Sequence, residues 1–282
     1  MPGPHHRNGR KRREDGTVTD FRYVIRDLTT EGEQVDALVS GLDDAGWALP
    51  TPAAGWSVKH QIAHLSFIFK IAGLSAAEPR KFAELAKTSM ARGFDAAVNA
   101  ALDDYLGDPD EVVLDRWRAE RDAGIKALAA VPADQVVPWL VNPLPPAILA
   151  CAGMMELFAH GQDIADALGV RPERTDRLAY LVGFAVRVRD FGYEARGLTP
   201  PQQEFRFEIT SPSGQLWTFG PEDSGQRITG SAEDFCLLVT RRRHRDDLDV
   251  RAKGALADHW LDIAQAYRGP AGEGREPGQF DR

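Results

Sequence analysis

Cysteine is scarce: the 282-residue chain has two, Cys151 and Cys236, and no C-x-x-C spacing. That excludes a disulfide framework, a dithiol redox pair and a zinc-thiolate cluster, and leaves both residues to serve as small apolar groups in a core. Long hydrophobic runs are missing as well. No stretch approaches the roughly eighteen apolar residues of a spanning helix, and no apolar segment follows the basic amino-terminal stretch MPGPHHRNGRKRRED. Neither a membrane span nor a secretory leader is therefore expected, and the expected location is the cytoplasm. Positive charge is in deficit, with 34 lysines and arginines against 42 acids and a net charge of -8, which argues against generic binding to nucleic acid or anionic membrane. The motifs G-x-x-x-x-G-K-[ST], G-x-G-x-x-G, H-E-x-x-H and G-x-S-x-G are all absent, so no phosphate loop, dinucleotide fingerprint, zincin helix or nucleophile elbow organises the chain.

What is present is an apolar fraction of 43%, enough for one large core or, more readily at this length, two ordinary ones. Residues 1–18 are polar, basic and rich in Gly and Pro, and are expected to be a disordered tail. From Thr19 to about Ala45, Val24, Ile25, Leu28, Val35, Leu38 and Val39 recur at helical spacing. Ser57 is a good N-cap for a helix, SVKHQIAHLSFIFKIAGLSA, that is apolar almost all round after Ile62 and so belongs at the centre. Residues 79–106 read as one or two shorter helices broken near Arg92-Gly93, and Asp108-Pro109 opens a further helix with acids in its first turn. The segment PADQVVPWLVNPLPPA is interrupted by proline and is expected to be a structured loop. It leads into the helix MMELFAHGQDIADAL, which Gly169 terminates. Four long helices with one proline-rich crossing suggest a bundle over residues 19–170. Beyond it, one helix over Thr175–Gly197, a hairpin around SPSG, a possible third strand at Arg227–Thr229, a helix capped by Ser231, a short strand in LDVRAKG and a closing helix make a small α+β domain over 171–268. Residues 269–282 are expected to be a loose tail.

On MMELFAHGQDIADAL, Glu156 and His160 are four residues apart and share one face, about 6 Å apart along the axis. The plain alternative is an ion pair along one helix. His64, on the buried helix, adds a second imidazole, and two histidines with one carboxylate are a frequent zinc donor set that leaves positions open. Asp163, three residues beyond His160, is placed to hydrogen-bond a ligand histidine and set its tautomer. His60 either joins His64 as a ligand or is a polar residue of the helix's first turns. Arg241, Arg242, Arg243 and Arg245 are either a solvated face or a source of a guanidinium fork for a substrate carboxylate.

GWSVKHQIAHL, followed by MMELFAHGQDIADALG, resembles the amino-terminal domain of the mycothiol-dependent maleylpyruvate isomerase family, a DinB-like metal-binding four-helix bundle. The matching pattern is Ala63-His64-Leu65 in a tryptophan-led helix, then Glu156-Leu157-x-x-His160-x-x-Asp163. The resemblance covers roughly residues 20–170. It implies His64, Glu156 and His160 as ligands of zinc or another divalent metal, and mycothiol as a cosubstrate. Residues 172–268 are similar to the sterol-carrier-like α+β domain that follows the bundle in that family, with helix, arginine turn, short strand and helix in order. Related actinobacterial proteins are described by reference to tRNA wyosine-base formation, whereas no residue pattern here points to radical or tRNA chemistry. Two departures stand out: His60 occupies a position commonly acidic in the isomerases, and TRRRHR replaces the usual G-R turn, with Arg242 the arginine chosen to face the site.

The function these features imply is a metal-dependent enzyme that activates a low-molecular-weight thiol for isomerisation or S-transfer on a small electrophile. A non-catalytic metal-binding protein and a zinc hydrolase are the alternatives. The expected partners are a small substrate and a thiol, with neither nucleic acid nor membrane.

Overall fold

A computed structural model describes residues 21–90, 94–140 and 142–280. The expected disordered tail and the expected break at Arg92-Gly93 lie outside those residues. The amphipathic amino-terminal segment forms α1 (Phe21–Val39), which buries Val24, Leu28, Val35 and Val39. It stops short of Ala45. Asp43 accepts a hydrogen bond from the backbone N–H of Gly46 and starts a separate short helix, α2 (Asp44–Ala48). Next come α3 (Val58–Ala77), α4 (Pro79–Met90), α5 (Phe94–Leu106), α6 (Asp110–Ala129) and α7 (Pro146–Leu168).

α1, α3, α6 and α7 form the four-helix bundle, with α3 packed on α6 and α7, and α1 on α7 and α6. Close packing of α3 on α6 depends on glycine. A β-carbon at Gly124 would lie 2.5 Å from the Phe69 carbonyl oxygen, and one at Gly73 would lie 2.9 Å from the Gly124 Cα. α4 and α5 cover the outer side of α3. Ahead of α7, the described residues of the proline-rich stretch form no helix. They are pinned by paired hydrogen bonds between Val137 and Leu144 and by the Ser75 hydroxyl, which donates to the Pro138 carbonyl. Proline opens α7, and Gly169, in the left-handed conformation at φ 66°, closes it.

Beyond α7 the chain forms α8 (Leu178–Arg187), α9 (Phe191–Glu194), β1 (Arg206–Thr210), β2 (Leu216–Phe219), β3 (Arg227–Ser231), α10 (Ala232–Val239), β4 (Val250–Lys253) and α11 (Ala255–Ile263). The single helix expected over Thr175–Gly197 is thus two. At the break, the Arg189 guanidinium donates to the Pro201 and Gln203 carbonyls, and its own carbonyl accepts from Trp260 Nε1. Those tertiary bonds hold the backbone out of the helical ladder. The strands run in the order β2-β1-β3-β4, with β1 antiparallel to β2, parallel to β3, and β3 antiparallel to β4. The hairpin around SPSG is present, in the register Phe207↔Phe219 and Ile209↔Trp217. Ser231 caps α10 through its hydroxyl, which accepts from the Asp234 N–H.

The architecture is α+β: a helical bundle and a small four-stranded sheet with its own helices. One hydrophobic cluster runs through both, from Val24 to Ala266, and α8 packs against both α7 and α10. The expected loose tail is docked over its described part. Gly278 N–H donates to the Asp247 carboxylate, Phe280 lies under the Arg243 guanidinium, and Arg275 is ion-paired to a buried aspartate of α7. Gly, Pro and charge in a segment foretell exposure, but three specific contacts hold this one down. No described helix is long and apolar enough to cross a membrane.

Candidate metal centre

The capping box that starts α3 sets the orientation of the site. Ser57 and His60 are its partners: the Ser57 N–H donates to His60 Nδ1, and the Ser57 hydroxyl meets the same nitrogen at 2.9 Å. His60 is therefore engaged at the helix start rather than in the cluster of possible ligands. Burial, and next the neighbouring Lys59 charge, push its pKa below the ordinary value. One turn further on, His64 points inward and is buried.

Glu156 and His160 come from α7, where their four-residue spacing aligns them on the face turned to α3. One ligand atom from each of His64, Glu156 and His160 lies within 4.8 Å of the others. Nε2 of His64 is 3.4 Å from Glu156 Oε2, and Nε2 of His160 is 3.2 Å from the same oxygen. The two imidazole centroids are 4.4 Å apart. Trp56, just ahead of α3, lies beside both rings, at 5.4 Å from His64 and 5.9 Å from His160, and is stacked on the latter.

Gln61 decides the protonation. Its side-chain amide donates to the Thr51 hydroxyl, so its oxygen faces His160 Nδ1 at 2.5 Å. An amide oxygen can only accept, so Nδ1 carries the proton and Nε2 of the neutral ring presents a lone pair to Glu156. Burial, then the neighbouring His64, pull the His160 pKa down to about 4, outweighing the opposing pull of Glu156. Burial pushes Glu156 up, but the hydrogen bonds and positive charge that His160 and His64 supply when protonated prevail and hold it well below the usual carboxylate range. Near neutral pH the centre thus has a carboxylate facing a bare imidazole nitrogen, two acceptors at 3.2 Å. A cation between them resolves that repulsion, and the two-nitrogen, one-carboxylate donor set suits a divalent ion such as zinc. The residues fit a metal.

Asp163 has no solvent exposure and does not orient a histidine, contrary to expectation. Its Oδ2 lies 2.9 Å from an Arg242 amino nitrogen and its Oδ1 lies 2.8 Å from one of Arg275. Its carboxylate is held instead by two arginines from later segments of the chain. Arg242 also donates through Nε to the Ala159 carbonyl and through an amino group to the Thr240 carbonyl, which brings its charge close enough to lower His160.

The other arginines of the turn go elsewhere. Arg243 forms a two-pronged pair with Asp166, Arg245 binds Asp258 and Asp262, and Arg241, at φ 58°, reaches the Gly272 carbonyl. His244 caps a short turn through its Nδ1, and His259 lies beside Tyr193. Sequence reasoning missed Gln61, Trp56 and Arg275. Gln61 had a signal, three residues before His64 on a buried helix. Trp56 had a weaker one in its connector, and Arg275 had none.

Residues 28–165 match the family model described as the mycothiol maleylpyruvate isomerase N-terminal domain, and residues 201–253 match one described as wyosine base formation. Two uncharacterised proteins of Mycobacterium tuberculosis, one from strain CDC 1551 and one from strain H37Rv, are each 43% identical over 258 residues, covering 92% of this chain and 100% of the relative. Among solved structures, the mycothiol-dependent maleylpyruvate isomerase aligns with a TM-score of 0.54 at 13% identity, over 83% of this chain and 92% of that one. A histidine-to-alanine variant of that enzyme aligns with a TM-score of 0.54 at 12% identity, over 82% and 92%. At such identity these two structures speak for a shared fold alone.

Proposed function

The chain belongs to the mycothiol-dependent maleylpyruvate isomerase family, and from that premise we propose that it is a cytoplasmic, divalent-metal-dependent enzyme that activates a low-molecular-weight thiol. His64, Glu156 and His160 are the proposed ligands, zinc the proposed metal and mycothiol the proposed cosubstrate. The observation that carries the reading is the convergence of two imidazole nitrogens and one carboxylate oxygen, with the His160 tautomer set by Gln61. A bound divalent ion would supply Lewis acidity, lowering the pKa of a thiol to give a nucleophile near neutral pH.

The chain's own residues do the rest. Gln61 holds the His160 proton on Nδ1 and keeps Nε2 free to bind. Trp56 lies over both imidazoles and limits water on that side. Asp163 anchors Arg242 beside the centre, where the guanidinium can grip an anionic group of the substrate. Residues 19–170 then act as the metal-holding domain, and 171–268 as the domain that brings Arg242 over it. The thiol attacks a small electrophile. Addition, bond rotation and release of the thiol isomerise it, whereas displacement of a leaving group transfers the sulfur.

Metal analysis of the purified protein beside a His160→Ala variant tests the ligand set, with zinc expected to fall in the variant; unchanged zinc would sink it. Mycothiol with a panel of electrophiles tests the chemistry. The expected result is metal-dependent conjugation or isomerisation that stops when the metal is removed.

A further inference from the structure

The carboxy-terminal segment 269–280 contains no helix or strand, yet it crosses the arginine turn, from Gly272 at Arg241 to Phe280 under Arg243. Its path is built for that crossing. Gly274, at φ 82°, passes so near Arg241 that a β-carbon there would lie 2.7 Å from a guanidinium nitrogen. Gly278 N–H is held by Asp247, and Tyr267 and Arg241 reach the Ala271 and Gly272 carbonyls. Between these fastenings Arg275 turns inward, its side chain 12% exposed, to share Asp163 with Arg242.

Two guanidinium groups on one fully buried carboxylate leave a positive charge uncompensated, and buried charge is costly unless paired. Glu156 is turned to the histidines. The Nε atoms of Arg275 and Arg241 are buried and have no hydrogen-bond partner. Arg196 and Arg241 add to the field, since both act on the half-buried Tyr267 side chain together with Arg242 and Arg275.

We infer that residues 269–280 are a strap that delivers Arg275 as the second arginine of an oxyanion-binding pair, so that a substrate's carboxylate or phosphoryl-type group is held between Arg275 and Arg242. The inference rests on the proposed function for the position of the reacting end of that substrate, but the anion site itself needs no metal. Asp163 is the anchor that holds both arginines ready, and Arg275 determines specificity for an anionic substrate.

The test uses full-length protein, metal-loaded and chelator-treated, with acetate or inorganic phosphate titrated against chloride at constant ionic strength and the thermal midpoint as readout. Both wild-type forms should be stabilised saturably beyond the chloride control. A preference for acetate would identify a carboxylate, and a preference for phosphate a phosphoryl-type group. Arg275→Gln, and a chain ending at Arg268, should require at least about tenfold more anion for half the effect, the loss of one charge-assisted fork. Arg275→Lys, which keeps the charge but not the fork, should fall between. A strap that is only a fastening would give variants with lower midpoints but unchanged anion dependence, and that result would overturn the inference. Anion binding that is lost with Arg275 in a protein that takes up no zinc when zinc is supplied would uphold it while rejecting the metal reading.

Discussion

Replacing Gln61 with leucine removes the acceptor of the His160 Nδ1 proton while keeping an apolar group of similar size on α3. Gln61 is fully buried, so the change strands the His160 N–H, while the half-buried Thr51 hydroxyl loses one donor but keeps its own bond to the Trp56 carbonyl. That one stranded group costs about 1–3 kcal/mol of folding stability. The imidazole is then free to rotate or to move its proton to Nε2, which cannot bind a metal in that form. Changing a residue that orients a metal-bound histidine typically weakens binding about 10- to 100-fold, equivalent to about 1.4–2.8 kcal/mol. Competition with a chromophoric chelator at pH 7.5 would measure the metal affinity, and thermal denaturation of the metal-free protein would separate the folding loss from it. Gln61→Glu is the control with the opposite sign: its carboxylate accepts the same proton more strongly, so affinity should match or exceed wild type, while the extra buried charge lowers metal-free stability. If Gln61→Leu folds and binds metal as tightly as wild type, the argument that Gln61 sets the tautomer is refuted.

Three further outcomes follow from the same geometry. His160 sits at about 4 in the folded chain against an ordinary 6.5. Its neutral form is favoured by folding, so its contribution to stability is present above pH 6.5 and is lost as the pH falls toward 4. The metal-free thermal midpoint should drop through that window, and the slope should flatten in His160→Gln. Glu156, also depressed, adds a loss of the same sign at more acidic pH. Asp163→Asn removes the charge shared by Arg242 and Arg275 and should cost about 3–5 kcal/mol, as expected for a broken buried pair, read in a urea titration. Gly124→Ala should cost about 1–3 kcal/mol, the range for overpacking, because its methyl group would meet the Phe69 carbonyl; an unchanged midpoint would contradict the helix contact described for α3 and α6.

The helices were legible because their signals are local. Apolar spacing marked α1, α3 and α7, Ser57 and Ser231 marked two starts, Gly169 marked one end, and alternation about SPSG marked the hairpin. The spacing of Glu156 and His160 was legible for the same reason, since four residues along one helix share a face whatever surrounds them. Where the reading failed, a long-range contact had overridden a local preference. The helix expected through residue 197 breaks where Arg189 and Trp260 draw its backbone into tertiary hydrogen bonds. Asp163 turned from the histidines because arginines from two later segments reached it.

By itself, then, the sequence determined the elements, the residue types able to bind a metal and the faces that present them, because periodicity and capping act within a turn or two of the chain. Only the tertiary structure decided that His64 lies opposite Glu156 and His160, that Gln61 and not Asp163 orients His160, and that Arg275 returns from the carboxy-terminal segment to the same aspartate as Arg242. Each of these joins residues far apart in the chain, and such meetings are set by how helices pack and where buried charge finds a partner. Neither leaves a mark in local spacing.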